Sequence, residues 1–435
     1  MKNQYWISKD NFGIENYYHP IFDQHTIYSP CRTAPIFIFN ENPVNINPTT
    51  IGFEEYYCPF CLGQNFLTTP EKIRAIKSQD QISYLEYPML KKDAQDILFR
   101  RQANLFEIIS YNYWQEKYHI TTTQKDIHRI DCAFDNSQTR NSFEKLLQLK
   151  LQKNNQYLED FSITEQKKMC EYFYNGFHEL LTSGRHYLPK ASKSSELLHS
   201  GYISWQDHRI SFEMICSAIT DMHTRNPFLS FVTVFQNWLF KAGASIEHWH
   251  KQILGIDFWG HILLREASLT KKNPTFYRDF ICTTINQENL LIAENTHALA
   301  YVEIGGKTGQ ITICSKSQNL RPQEHNLEEI HAMSDLSHAI LNTFSPLTPY
   351  NEEWFYTPFN QQEFITPWRI IINLRTNTNA GFENITQKLI NPITPKLFAH
   401  TIRNLMRTKK HQIAPNIIIG SKLITANIFQ YIFKK

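Results

Sequence analysis

Residues 235–252 read FQNWLFKAGASIEHWHKQ, and the last five of them limit what the chain can be. Side chains on a β-strand point alternately to opposite faces. A strand through 248–252 therefore puts His248, His250 and Gln252 on one face, with Trp249 and Lys251 on the other. A neutral imidazole attacks phosphorus without first losing a proton. Gln252, two positions on, can donate a hydrogen bond to phosphoryl oxygens. Upstream, Gly243 allows a close backbone approach and Ser245 offers a hydroxyl to the same charge. An H-x-H-x-Q string is common by chance in a chain with 18 histidines, and Lys251 reads as a solvated strand lysine.

Working outward, Phe228–Asn237 is rich in β-branched and aromatic residues and reads as a strand. Shorter β-like runs occur at Thr26–Ser29, Leu105–Ser110, Ala298–Ile304, Gln310–Cys314 and Arg369–Leu374. Three helix starts stand out. Ser162 and Glu165 can form a capping box, followed by Met169, Phe173, Phe177, Leu180 and Leu181 near helical spacing up to Gly184. Asn326 can cap an amphipathic helix carrying Leu327, Ile330, Met333, Leu336, Ile340 and Phe344. Thr394 followed by Pro395 is a cap with proline in the first turn. Residues 190–195 read as an exposed loop. The sequence of sheet, helix, sheet and helix predicts two α+β halves joined near 260–275.

The chain has 435 residues, enough for two or three domains or for one duplicated unit. A formal charge of +3 over that length calls for no nucleic-acid partner and no acidic membrane surface. The first twenty residues contain no apolar run of signal-peptide type, and no stretch reaches the length of a membrane span. Of eight cysteines only Cys58 and Cys61 are close together, which suits reduced thiols in a cytoplasmic protein. Cys58-Pro-Phe-Cys61 can hold one tetrahedral zinc through both thiolates. It also admits a redox pair or two incidental thiols.

These residues resemble the active-site stretch of galactose-1-phosphate uridylyltransferase and its relatives in the histidine-triad superfamily. In that family an asparagine precedes the first histidine of His-x-His-x-Gln by eleven residues, with a glycine and a serine between. Asn237, Gly243 and Ser245 stand at those offsets before His248. His19-Pro-Ile-Phe-Asp-Gln-His-Thr-Ile-Tyr-Ser-Pro-Cys-Arg32 resembles the family's opening strand pair. Cys58-Pro-Phe-Cys61-Leu-Gly-Gln resembles its zinc cysteines, and Glu294-Asn-Thr-His297-Ala and Gly381-Phe-Glu383 resemble landmarks of its second half.

The resemblance implies an α+β fold of two histidine-triad-like halves, 1–265 and 266–435. Each half is an antiparallel sheet with packed helices, and the first contains a helical insertion at about 130–205. It implies that His250 is the nucleophile and becomes nucleotidylated, and that Gln252, Asn237, Gly243, Ser245 and Arg32 serve the phosphates. Cys58, Cys61 and His248 would ligate a structural zinc, with His119 as candidate fourth ligand. The substrates implied are a nucleotide or nucleotide sugar and a phosphorylated acceptor, turned over by a homodimer. Trp249 and Lys251 replace the family's usual proline and glycine. Asn373-Leu-Arg375 occupies the place of a second His-x-His, so no second metal is expected. A nucleotide hydrolase, a phosphorylase and a non-catalytic nucleotide-binding protein are the competing readings.

Overall fold

The computed structural model describes residues 7–9, 15–19, 24–28, 58–61, 67–79, 81–87, 97–152, 155–193, 195–306, 309–361, 365–375, 380–386 and 388–420. The N-terminal strands are β1 (Ile7–Lys9), β2 (Glu15–His19) and β3 (Gln24–Tyr28). Then come β4 (Glu71–Ser78), β5 (Gln81–Glu86), β6 (Ile97–Ala103), β7 (His178–Ser183), β8 (Phe231–Trp238) and β9 (His250–Ile256). The later strands are β10 (Leu291–Glu294), β11 (Ala298–Val302), β12 (Gln310–Ser315), β13 (Tyr350–Phe355), β14 (Arg369–Leu374), β15 (Leu389–Asn391) and β16 (Ile418–Ile419).

Twelve strands form one antiparallel sheet, ordered β16-β10-β11-β12-β14-β13-β8-β9-β7-β6-β4-β5. The earlier and later strands meet where β8 pairs with β13, Asn237 opposite Asn351. Outward from that seam, β9 flanks β8 as β14 flanks β13. The α+β class that the sequence predicts holds, with one continuous antiparallel sheet where a separate sheet in each half was expected. A small second sheet, β1-β2-β3-β15, carries the opening strand pair, and Thr26 Oγ1 donates to Gly305 O at 2.7 Å.

The helices inserted between β6 and β7 are α1 (Tyr111–Tyr118), α2 (Gln124–Asp135), α3 (Ser137–Gln152), α4 (Ile163–Met169) and α5 (Tyr172–Asn175). They begin earlier and end earlier than the expected 130–205. The Ser162–Glu165 capping box forms, but the helical reading that continued through Phe177, Leu180 and Leu181 is overturned, because those residues lead into and lie on β7. Every residue of β7 is buried, and a strand covered on both faces shows no alternation to separate it from a helix. Leu105–Ser110 is likewise not a strand. It leads into α1, where the Ser110 hydroxyl accepts from Tyr113 N–H. The 190–195 loop is tied down, since the Glu196 carboxylate accepts from the Ser192 and Lys193 N–H groups at 2.6 and 2.8 Å.

Two long helices back the sheet, α6 (Trp205–Arg225) and α7 (Leu327–Leu341). The second starts at the expected Asn326 cap, which forms a full capping box with Glu329. They join through His208 Nδ1 to Ser334 Oγ at 2.8 Å and a bidentate Arg209–Asp335 pair. Phe212, Trp249, Trp354 and Trp368 are buried between helices and sheet. A further helix, α8 (Pro395–Thr408), starts at the Thr394 cap with proline in its first turn.

Candidate functional site

The other face of the sheet carries a polar row. Arg100 pairs with Thr182, Thr182 with His250, Asn237 with Asn351, Asn351 with Asn373, and Asn373 with Gln310. Gln252 lies opposite Phe235. Continuing that register by two residues sets Asn237 across from His250. The strand starts at His250, so the expected strand through 248–252 holds for 250–252 while His248 lies just before it, and Asn237, drawn from a different strand, joins the face of His250.

His250 is only 7% exposed. Its Nδ1 lies 2.8 Å from the carbonyl oxygen of His248. A carbonyl only accepts, so Nδ1 carries the proton and Nε2 keeps its lone pair. Burial holds the ring below its ordinary value of 6.5, which keeps it neutral at neutral pH. Phe60 packs against it with ring centroids 5.3 Å apart.

Cys58, Cys61, His186 and His248 bring four ligand atoms within 4.8 Å of one another. Cys58 Sγ is 3.5 Å from His248 Nδ1, and Cys61 Sγ is 3.4 Å from His186 Nδ1 and 3.9 Å from His248 Nδ1. A tetrahedral zinc with bonds of about 2.0–2.3 Å has ligand-to-ligand edges of about 3.6 Å, so the spacing fits that ion. His248 Nε2 lies 2.9 Å from Ser183 O, which places its proton there and turns Nδ1 to the thiolates. The Cys58 thiol is held well below its ordinary value, first by the Cys61 hydrogen bond and then by those of His186 and His248. Cys61, beside that thiolate, is pushed up. A cation bound between them would release the remaining proton.

Each predicted residue can now be located. His250, Gln252, Asn237 and His248 come together around β9. Gly243 follows a short turn over Phe240–Ala242 with φ +90°, a left-handed conformation that suits glycine, and both it and Ser245 are exposed. Arg32 lies outside the described residues. His119 caps the end of α1 and is not among the four clustered donors; His186 stands in that place. Lys251 is not solvated. It is fully buried on the helix-covered face, paired with Glu352 and 5.0 Å over the Phe212 ring. Trp249 is buried there too, its indole N–H donating to Ser200 Oγ at 2.7 Å. Both departures from the family pattern thus point away from the polar row. Asn373 stands to Asn351 as His250 stands to Asn237, so the later strands carry an amide where the earlier ones carry His250.

Sequence reading missed His186, His178, Asn351 and Phe60. The signal for His186 was its position just after the strand 178–183, which helical periodicity concealed. His178 Nε2 lies 3.0 Å from Gln252 Oε1, and Asn351 Nδ2 lies 2.7 Å from Asn237 Oδ1.

A family model described as a domain of unknown function, DUF4921, matches residues 30–431. No curated protein matches the chain. An ADP-glucose phosphorylase from Arabidopsis thaliana, solved with bound ADP-glucose, is similar in structure, with TM-score 0.58 and 17% identity. That likeness covers 90% of this chain and 99% of that one. A GalT-like protein from Arabidopsis thaliana has TM-score 0.56 and 16% identity, covering 90% of this chain and 98% of its own. At these identities the likeness shows the fold alone, one shared along nearly the full length with the ADP-glucose phosphorylase and the GalT-like protein.

Proposed function

The chain belongs to the DUF4921 family, and on that premise we propose that it transfers a nucleotidyl group through a covalent nucleotidyl-histidine on His250. The observation that carries this reading is the His250 tautomer, with Nδ1–H given to the His248 carbonyl and the Nε2 lone pair unprotonated. Nε2 forms a bond to the α-phosphorus of a nucleoside diphosphate sugar or nucleoside polyphosphate. The bridging oxygen leaves with its electron pair on the phosphorylated leaving group. An acceptor oxygen then attacks the same phosphorus, and Nε2 recovers its lone pair. Asn237, Ser245, Gln252 and Arg32 stabilise charge on the phosphoryl oxygens, where fixed donors act most strongly. Inorganic phosphate belongs among the acceptors to be tried, given the full-length likeness to an ADP-glucose phosphorylase.

Cys58, Cys61, His186 and His248 would hold zinc. With four protein ligands the ion would have no open position and would serve to tie the Cys58–Cys61 turn to the strand of the nucleophile. We place the protein in the cytoplasm, where such thiols stay reduced, and propose a homodimer in which residues 1–265 carry the chemistry and 266–435 complete the site. Among the described residues, no helix is long and apolar enough to cross a membrane.

The test is intact mass after incubation with a panel of nucleoside diphosphate sugars and nucleoside triphosphates, with zinc content measured alongside. Wild type should gain one nucleoside monophosphate and His250→Ala none. His186→Ala should lose bound zinc while His119→Ala keeps it. Turnover with no adduct, or an adduct that survives in His250→Ala, would overturn the mechanism.

A further inference from the structure

An amide side chain has one end that donates and one that accepts. A donor for phosphoryl oxygen is useful only if the correct end faces the substrate. Two amides flank His250, and in each case a fixed backbone group decides the orientation through one intermediate side chain. On one side the Ile108 N–H donates to His178 Nδ1 at 3.1 Å. A backbone amide cannot reverse its role, so Nδ1 is an acceptor and carries no proton. His178 is fully buried, and burial pushes it down to about 4, so the ring is neutral and its proton sits on Nε2. That Nε2 faces Gln252 Oε1 at 3.0 Å. Asn104 also approaches Nε2, but with its nitrogen, at 3.2 Å, and its oxygen accepts from Phe106 N–H. The acceptor for the His178 proton is therefore the Gln252 oxygen.

On the other side the backbone group is a carbonyl. Ala242 O accepts from Asn351 Nδ2 at 2.8 Å, which fixes that atom as the nitrogen. The same Nδ2 donates to Asn237 at 2.7 Å, so the Asn237 atom it meets must be the oxygen. Asn237 Nδ2 is then turned the other way, toward Gly243, where even an added Cβ would come only to 4.0 Å.

We infer that His178 and Asn351 are positioning residues that hold Gln252 and Asn237 by their oxygens, so that both NH2 groups are presented to the phosphoryl group attacked by His250. This role rests on the proposed function. It also gives the seam between the two halves of the sheet a part in the chemistry, because Asn351 reaches Asn237 across the β8–β13 pair. Neither positioning residue needs to touch substrate. Each acts only through the amide it holds.

That dependence can be measured as the single-turnover rate of adduct formation, using whichever nucleoside diphosphate sugar labels wild type. Thermal melting of each variant reports folding separately. His178→Leu removes the proton that holds the Gln252 oxygen, and adduct formation should slow by about 10- to 100-fold, approaching the loss of a fixed donor. His178→Gln keeps an N–H in place and should recover most of the rate. In a Gln252→Ala background, His178→Leu should slow the reaction no further. Asn351→Asp presents only acceptors to Asn237, which must then turn its NH2 away from substrate, and it should slow labelling in a protein that melts like wild type. It carries the test if His178→Leu fails to fold. Equal losses from His178→Leu with and without Gln252, or Asn351→Asp and His178→Leu variants that label at the wild-type rate, would overturn the positioning role alone. A wild type that labels with no donor would instead overturn the proposed function, and this role with it.

Discussion

At the residue scale the site depends on where single protons sit. Backbone carbonyls fix the tautomers of His248 and His250, through Ser183 O and His248 O respectively. One ring thereby turns Nδ1 to the thiolates, and its neighbour two positions on leaves Nε2 free. No pattern of residue types contains that difference, although the His-x-His-x-Gln spacing does place His250 and Gln252 on one strand face. Burial lowers the His250 value below 6.5, so the neutral form that the proposed attack needs persists through neutral pH and is lost on acidification. The rate of adduct formation should be flat above about pH 7 and fall in acid with an apparent pKa below the free-imidazole value. A rate that rises as pH drops from 7 to 5 would contradict a neutral His250 nucleophile.

At the scale of elements, register decides which side chains share a face. The pairs Thr182–His250 and Asn237–Asn351 assemble the polar row from strands far apart in the chain. The same alternation sends Lys251 to the back, where it meets Glu352 on β13 with both side chains almost wholly enclosed. Sequence alone gave no reason to bury that lysine, because its carboxylate partner is 101 positions away. Removing one member of a buried pair leaves the other charge without a partner. Lys251→Ala should therefore cost about 3–5 kcal/mol of stability, while replacing both members with apolar residues of similar volume should cost much less. Urea denaturation of Lys251→Ala beside a Lys251→Met, Glu352→Leu double variant measures this. Equal losses in the two would show that packing rather than charge governs the position.

At the scale of the whole molecule, α6 and α7 cross the back of the sheet and join its two sides, and both faces of the sheet bury histidines. His178 on the polar-row face, and His199 and His338 at the back, are buried and held at about 4, about 3 and about 4. Burial is the main cause in each case. Their folded values lie below that of the unfolded chain, near 6.5, so above that pH both states are neutral and stability is unaffected. Below it the unfolded chain takes up protons that the folded chain refuses. Stability should then fall with pH between 6.5 and 4, each histidine contributing up to about 1.4 kcal/mol per pH unit. Denaturation midpoints at pH 7, 6 and 5 with zinc in excess should show that decline, and a flat series would mean that these rings are protonated in the native state. The close approach at Gly201 belongs to the same junction: a Cβ there would lie 2.3 Å from Asn342 N, just beyond the end of α7.

Much of this was legible in the sequence. Helix caps, the β-rich runs at 228–237 and 369–374, and the Cys-x-x-Cys and His-x-His-x-Gln spacings are local, and local geometry determines what they form. That locality placed His250 and Gln252 on one strand with His248 just before it, and marked Cys58 and Cys61 as a close pair of donors. It did not determine partners separated by long stretches of chain. His186 completes the donor set because β7 lies beside β9. Asn351 reaches Asn237 because the two halves share one sheet. His178 reaches Gln252 because β7 lies beside β9, and the sequence concealed it because a strand buried on both faces resembles the continuation of a helix. Spacing along the chain fixes which side chains share a face of one element. Only packing fixes which elements meet, and with them the identities of the fourth clustered donor and of the side chains bonded to the two amides.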